Sequence, residues 1–361
     1  MRESVSTSPA WCRLYSVPLV LQATVSIAWF CGESSPCSHD ERRRFPMERS
    51  NTRGQSTGPS NSLVQIMRRY PLFFFFLIVL GLTWLYELIV YGILHLPEFS
   101  IGRAFILGPT LAAFIMTSVT EGRTGVLRLL RRYVLWRVGI PWYLFVLLGI
   151  PALVLLGFFV LPRAVAAFRA PAPAFVLSYF QWYIVIFFGV SLFEEPGWRG
   201  FALPRLQQRS GPLVGTLLLG VLWAFWHLPL LLFVPGYDRA GTGFVGIMIP
   251  FVGLIIGTVA LAVIITWVFN NARGSLLLVM LLHTSYDTAL VTVLPKLFPS
   301  LPATPLINFL VNLNIAFVVV ALLIIATTRG RLSYQRYLRE TALPAPGTDQ
   351  VQKPGTAGTA L

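Results

Sequence analysis

The sequence is poor in charged residues. Asp, Glu, Lys and Arg together make up 12% of its 361 residues, whereas soluble domains carry about 25%. Hydrophobic residues make up 55% of the chain, and its mean hydropathy is +0.70. A chain with this composition has too few polar side chains to coat a folded core. It therefore excludes a soluble globular enzyme, a disordered protein and a coiled coil, and it indicates a polytopic membrane protein.

Cysteine and lysine are also scarce. Cys12, Cys31 and Cys37 all precede the apolar part of the chain, which excludes a disulfide framework or a cysteine metal site there. The only lysines are Lys296 and Lys353, and this skew towards arginine indicates a GC-rich genome. The basic residues lie mostly between apolar runs. We therefore interpret them as topology determinants and lipid-headgroup contacts in a bacterial plasma membrane, with no nucleic-acid partner.

The two ends of the chain differ from its middle. Residues 1–66 are rich in Ser, Arg, Pro and Thr, and we expect a disordered, dispensable extension there. The tail, residues 341–361, is rich in Pro, Gly and Thr and is expected to be disordered. A transmembrane domain is predicted over residues 67–340.

Eight apolar runs are long enough to cross about 30 Å of hydrocarbon as helices. Uninterrupted runs of this length do not fit barrel strands, which alternate over about ten residues. The runs cover residues 71–95, 101–119, 141–162, 174–194, 211–234, 244–268, 275–295 and 305–327. The sequence thus predicts an all-α polytopic bundle with about eight transmembrane helices.

The distribution of basic residues predicts the topology. With residue 68 in the cytoplasm, fifteen basic residues fall on that side and five on the other, so both ends of the helical core are expected inside. The loop 120–139 mixes Arg with Leu, Val and Trp, which predicts an amphipathic interfacial helix. We find no internal repeat, which argues mildly against many transporter folds.

The first polar motif in the apolar region is FEEPGWRGFALPRLQ, residues 193–207. On a helix, Glu195 and Arg199 share a face and can pair, which leaves Glu194 free. A charged helix end at the headgroups would explain the same pattern. Because the polar motifs otherwise lie at different depths, we expect this helix to continue past Pro196 and to carry residues 193 to about 207 into protein.

Two further motifs contain the other embedded polar residues. Trp223 and His227 are one helical turn apart in WAFWHLPLLLF, and His283 and Asp287 are one turn apart in LLHTSYDTAL. His227 could simply hydrogen-bond a neighbouring helix. The second pair could be a local structural bond, a base with its orienting partner, or two metal ligands. Glu87 stands alone in the first span, and we interpret it as a packing or interface carboxylate.

Taken together, the three motifs indicate one site. Charged groups inside a membrane are costly, so each needs a reason to be kept. One shared function explains polar residues on three helices better than three unrelated causes do. A carboxylate with two imidazoles can activate water, either as a general base or through a bound metal.

The motifs resemble those of the CPBP family, which comprises CAAX proteases and bacteriocin-processing enzymes. The family pattern is Glu-Glu-x-x-x-Arg, then aromatic-x-x-x-His, then His-x-x-x-Asn or similar. Here it corresponds to residues 194–199, 223–227 and 283–287, within a core of about 174–295. The resemblance implies an intramembrane endopeptidase in which Glu194 activates water beside His227, and His283 stabilises the oxyanion or positions the water. It implies supporting roles for Glu195, Arg199, Trp223 and Asp287.

The resemblance leaves the cofactor open. The family is commonly labelled metal-dependent, and a metal-free mechanism is also argued, so one divalent metal such as zinc on Glu194, His227 and His283 is an alternative. The sequence contains no His-Glu-x-x-His motif. Many members have Asn where this chain has Asp287. An ionised carboxylate would repel an oxyanion, so we expect Asp287 to orient His283 or to bind a metal.

The expected substrate is a peptide bond in a membrane-associated or lipidated protein, or in a bacteriocin-like peptide. Two other classes of function stay open. In a proton-coupled transporter, the buried Glu, His and Asp side chains would form a proton relay. In a non-catalytic immunity or scaffold protein, they would only maintain the fold.

Overall fold

The computed structural model describes residues 60–96, 107–233, 243–302 and 304–341. Within these ranges the chain forms eleven helices and no strand, which confirms the all-α prediction. The helices are α1 (Ser60–Arg69), α2 (Pro71–Ile93), α3 (Leu107–Tyr133), α4 (Ile140–Phe158), α5 (Ala164–Ala167), α6 (Pro173–Ser210), α7 (Pro212–Phe233), α8 (Gly243–Asn271), α9 (Leu276–Leu297), α10 (Pro305–Thr328) and α11 (Tyr334–Thr341).

Seven of the described helices are long and apolar enough to cross a membrane, and they are α2, α4, α6, α7, α8, α9 and α10. Large apolar side chains such as Leu77, Leu156 and Leu322 remain more than half exposed on them, as lipid-facing residues do. The chain is therefore an integral membrane protein. The remaining predicted run, 101–119, begins outside the described residues, and its described part belongs to α3.

Helix α1 crosses the predicted boundary at residue 67. Helix α1 runs from Ser60 to Arg69. Its last turn contains Arg68 and Arg69, and basic side chains stabilise the C-terminal end of a helix. Residues 1–59 and 342–361, which include most of the predicted extension and tail, lie outside the described residues.

Helix α6 is 38 residues long and does not end at Pro196. Proline lacks the N–H group that the α-helical ladder needs, and from Pro196 to Ala202 the helix widens into π-helical turns. Residues 196–203 are all buried. The predicted continuation of this helix into protein, to about residue 207, is thus confirmed.

Helix α3 bends sharply at Gly122, where φ is 63° and ψ is −157°. Both halves of α3 then pack against one stretch of α6. A Cβ atom at Gly197 would lie 2.5 Å from the Pro109 side chain, and one at Gly200 would lie 2.6 Å from that of Leu129. The predicted helix within 120–139 is confirmed as far as Tyr133, and its location at the membrane interface stays a prediction.

The bend at Gly122 should depend on glycine, because other residues rarely adopt this φ and ψ combination. We expect Gly122→Ala to lower the free energy of unfolding by about 1–3 kcal/mol. Gly81→Ala in α2 is the matched control, because both positions have open space for a methyl group and Gly81 has no left-handed φ. Thermal unfolding in detergent would measure both. Equal stabilities for the two variants would contradict the strained-backbone argument.

Candidate active site

A buried ion pair lies on the widened part of α6. Arg199 Nη1 donates to Glu195 Oε1 at 2.8 Å, and both side chains are fully buried. The guanidinium carbon of Arg199 lies 4.1 Å from the ring centre of Trp223, in a cation–π contact. The predicted pairing of the two residues is therefore confirmed. A charged helix end at the headgroups is excluded, because neither group reaches the surface of the protein.

Glu194 is held by two tryptophans. Its Oε2 atom accepts a hydrogen bond from Trp223 Nε1 at 3.1 Å and lies 3.4 Å from Trp198 Nε1. The side chain is buried, and its Oε1 atom accepts no hydrogen bond from any described residue. One oxygen of Glu194 is thus fixed by indole N–H groups, and the other is left for a further partner.

His227 lies at an interruption of α7. The first part of this helix ends at Trp226, and the next begins at Leu228. His227 Nδ1 lies 2.8 Å from the Trp223 carbonyl oxygen one turn earlier, which fixes the orientation of the ring. The interhelical hydrogen bond that the sequence left open is not formed within the described part of the chain. The Nε2 atom has no partner there either.

His283 on α9 lies between two carboxylates. Its Nδ1 atom is 2.8 Å from Glu195 Oε1, and its Nε2 atom is 3.3 Å from Asp287 Oδ2. Asp287 is the more exposed of the two carboxylates. His283 therefore connects α9 to the buried ion pair of α6.

Trp223 is the residue around which these groups meet. Its indole N–H binds Glu194, its face covers Arg199, and its ring lies 5.2 Å from the ring of His283 at a right angle. The ring of His227 is 6.2 Å away. These contacts bring the three sequence motifs together.

The sequence analysis missed several residues that support this centre. Trp198 follows Glu194 by four residues, which is the same spacing that predicted the Glu195–Arg199 pair. The hydroxyl groups of Thr284 and Ser191 are hydrogen-bonded at 2.9 Å, which joins α9 to α6 next to the glutamates. Nothing in the sequence pairs Thr284 with Ser191, because this contact depends on how the two helices pack.

Glu87 lies apart from the contacts that join the motifs. It is fully buried on α2, and neither carboxyl oxygen has a hydrogen-bond partner within the described residues. Thr83, one turn earlier, accepts a hydrogen bond from Trp226 at 2.8 Å. This face of α2 therefore packs against α7, in agreement with a packing position for Glu87.

The three proposed metal ligands do not form a ligand set in this arrangement. No group of three His, Cys, Asp or Glu side chains in the described ranges could hold a metal ion. Both nitrogens of His283 already face carboxylates. The residues as arranged thus do not fit the zinc site that the sequence left open, and we derive no catalytic step through a metal.

The fold and the site define a polytopic helical membrane protein with a buried Glu–Arg–His centre. Residues 175–289 match the model of a family described as type II CAAX prenyl endopeptidase, Rce1-like. Over 99 residues the chain is 30% identical to CAAX prenyl protease 2 of Methanococcus maripaludis, covering 25% of this chain and 33% of the relative. The chain thus spans about a third of the length of the curated relative it matches.

The segment that carries the three motifs matches the CAAX protease family that those motifs predicted. Its matched range begins at the start of α6 and ends within α9, so it contains every side chain described around Trp223.

Removing Arg199 should destabilise the protein strongly, because the buried Glu195 carboxylate would lose its arginine partner and keep only the contact with His283. We expect Arg199→Gln to lower the free energy of unfolding by about 3 kcal/mol or more. Arg131→Gln, at an exposed position of α3, is the control for loss of one arginine. Unfolding in detergent micelles would measure both variants.

A double variant, Glu195→Gln with Arg199→Gln, should recover part of the lost stability, because it removes both charges of the buried pair together. The role of the ion pair would be contradicted if Arg199→Gln and Arg131→Gln were equally stable.

Proposed function

We propose that the protein is an intramembrane endopeptidase of the CAAX type, in which Glu194 and His227 activate a water molecule. The observation that carries this proposal is that Glu194 and His227 both contact Trp223 through one polar atom and keep the other polar atom free. Glu194 Oε1 and His227 Nε2 both lack a partner among the described residues, while the other polar atom of each side chain is fixed. Two fixed groups with one free atom each are suited to orient a water molecule.

Glu194 would act as the general base. As the water oxygen bonds to the carbonyl carbon of the scissile peptide, its proton passes to Glu194 Oε1. The tetrahedral intermediate then collapses. The C–N bond breaks, and the leaving amine takes the proton from Glu194. The tryptophan N–H groups hold Oε2 throughout, so the free Oε1 atom stays directed at the water.

His283 would stabilise the negative charge on the carbonyl oxygen. The contact of His283 with Glu195 is the shorter of the two and is buried. The contact with Asp287 is longer, and Asp287 is more exposed. A substrate oxyanion could therefore replace Asp287 at Nε2 without disturbing Glu195. A donor placed where charge develops is among the largest single contributions to catalysis.

The substrate would be a membrane-associated, prenylated protein or peptide. The relative in Methanococcus maripaludis is named a CAAX prenyl protease, and the family description names the same type of endopeptidase. The site supports a membrane-bound substrate, because it is carried by α6, α7 and α9, all of which are long and apolar enough to span the bilayer.

Glu194→Gln should abolish cleavage and leave the fold intact. The glutamine oxygen can still accept the tryptophan hydrogen bonds, but an amide cannot take a proton from water. We expect the cleavage rate to fall by about 10²–10⁴-fold, measured on fluorogenic prenylated peptides with purified protein. Glu87→Gln is the matched control, since it changes a buried glutamate outside the site, and it should keep wild-type activity.

Equal activities of Glu194→Gln and wild type would contradict the proposed base. Proton flux measured in liposomes with the same proteins distinguishes a transporter from a protease. A transporter would show a changed proton flux in Glu194→Gln, and its wild type would cleave none of the peptides. Zinc, iron, cobalt and manganese are quantified in each preparation. A stoichiometric metal that is lost in His227→Ala would favour a metal-activated water instead.

The variant Asp287→Asn tests whether Asp287 only orients the ring of His283 or whether its carboxylate charge is needed for catalysis. If the oxyanion replaces Asp287, an amide there removes the repulsion and adds a donor, so we expect the rate to stay equal or to rise. Asp287→Ala should lower it, because the ring of His283 loses a partner. The rates of the two variants on one peptide test this. A loss in Asp287→Asn as large as in Asp287→Ala would show that the carboxylate charge itself is required.

A further inference from the structure

A polar cavity lies between α3 and α6, and its lining contains none of the side chains that meet around Trp223. Its volume is about 250 Å³. Its lining includes Glu121, Gly125, Arg128, Arg132, Gly200 and Arg205. Nothing in the proposed protease mechanism uses these side chains.

The cavity has an excess of positive charge. Three of its lining residues are arginines and one is an acid. Arg128 and Arg205 both bind the carboxylate of Glu121, one on each oxygen. Arg132 contacts only neutral groups among the described residues, namely the Tyr337 hydroxyl at 2.9 Å, the Gly200 carbonyl at 3.5 Å and the ring of Phe269. One carboxylate therefore balances only one of three guanidinium groups.

The arginines are held in place by the fold. Arg205 Nη1 donates to the Phe201 carbonyl at 2.9 Å, and its guanidinium carbon lies 3.7 Å from the centre of the Phe201 ring. Gly125 leaves room for Glu121, since a Cβ atom there would lie 2.3 Å from the Glu121 side chain. The bend at Gly122 turns the second half of α3, with Arg128 and Arg132, back over α6. The cavity therefore depends on the bend of α3 at Gly122.

The place of the cavity suggests its ligand. It lies at the basic end of α6, beyond the apolar part of this helix, on the side that the distribution of arginines predicts to be cytoplasmic. Basic pockets between transmembrane helices at this level suit the phosphate of lipid headgroups. The planar guanidinium group matches phosphate oxygens with paired hydrogen bonds.

We infer that this cavity binds the phosphate group of an anionic lipid headgroup, with Arg128 and Arg132 as its ligands. Arg205 supplies positive charge from the floor of the cavity and keeps Glu121 in place. A free phosphate ion shares the same chemistry, and the experiment must separate the two sources.

The test uses the full-length protein in a neutral detergent. Phosphatidylglycerol, phosphatidylcholine and inorganic phosphate are titrated separately, and binding is followed by native mass spectrometry and by the unfolding temperature. We expect wild type to retain phosphatidylglycerol in preference to phosphatidylcholine and to unfold at a higher temperature with it. Stabilisation by inorganic phosphate alone, without a preference for phosphatidylglycerol, would assign the cavity to a free anion and overturn the lipid assignment.

Arg128→Gln and Arg132→Gln should each weaken phosphatidylglycerol binding on the order of fivefold, as expected for loss of one arginine near an anionic lipid. Arg131→Gln is the matched control, because Arg131 is exposed, adjacent to Arg132 and outside the cavity. Arg128 is half exposed, so its variant should fold even if Arg132→Gln does not.

Equal weakening in all three variants would mean that the lipid responds only to the overall charge of α3, and the site would be disproved. Absence of any response of wild type to phosphatidylglycerol and to phosphate would disprove it as well. If an acidic peptide bound more tightly than phosphatidylglycerol and inorganic phosphate, the cavity would be assigned to a protein partner instead of a lipid.

Discussion

The buried ion pair of Glu195 and Arg199 is the constraint on which the rest of the site depends. An unpaired charge inside a membrane protein is costly, and a partner of opposite charge lowers that cost. The pairing requires four-residue spacing on one continuous helix, so α6 must pass Pro196 without ending. It does so by widening into π-helical turns, a feature that often marks functional segments. The pair also attracts His283 from α9 and lies beneath the ring of Trp223.

Trp223 explains how one ion pair can organise three helices. An indole has an apolar face, a positive edge and a single N–H donor. The face lies on Arg199, the N–H binds Glu194, and the His283 ring stands perpendicular to it. The backbone carbonyl of the same residue fixes His227. Each group around the site is therefore held by Trp223 or by the ion pair, which leaves few ways for their relative positions to vary.

Much of this arrangement could be predicted from the sequence, because it follows from two simple periodicities. Seven of the eight runs predicted from length and hydropathy are confirmed as helices long enough to span a membrane, and the four-residue spacing predicted the Glu195–Arg199 pair. The same spacing gave a contact of His283 with Asp287 as one of several alternatives. The bend at Gly122 could not be predicted, since a lone glycine in a helical pattern has several explanations. The Ser191–Thr284 bond and the contact of His283 with Glu195 depend on helix packing. Sequence spacing carries no information on such distant contacts.

Two glycines on α6 link the site to the basic cavity in space. Gly197 lies beside the first half of α3 and Gly200 beside the second, and Arg199 stands between them in sequence. Both halves of α3 can approach only because neither position has a side chain. The Gly200 carbonyl faces Arg132 of the cavity, while the neighbouring Arg199 holds Glu195. One turn of α6 thus contributes to both sites. A displacement of α3 at the cavity would therefore act on the same turn that positions the ion pair.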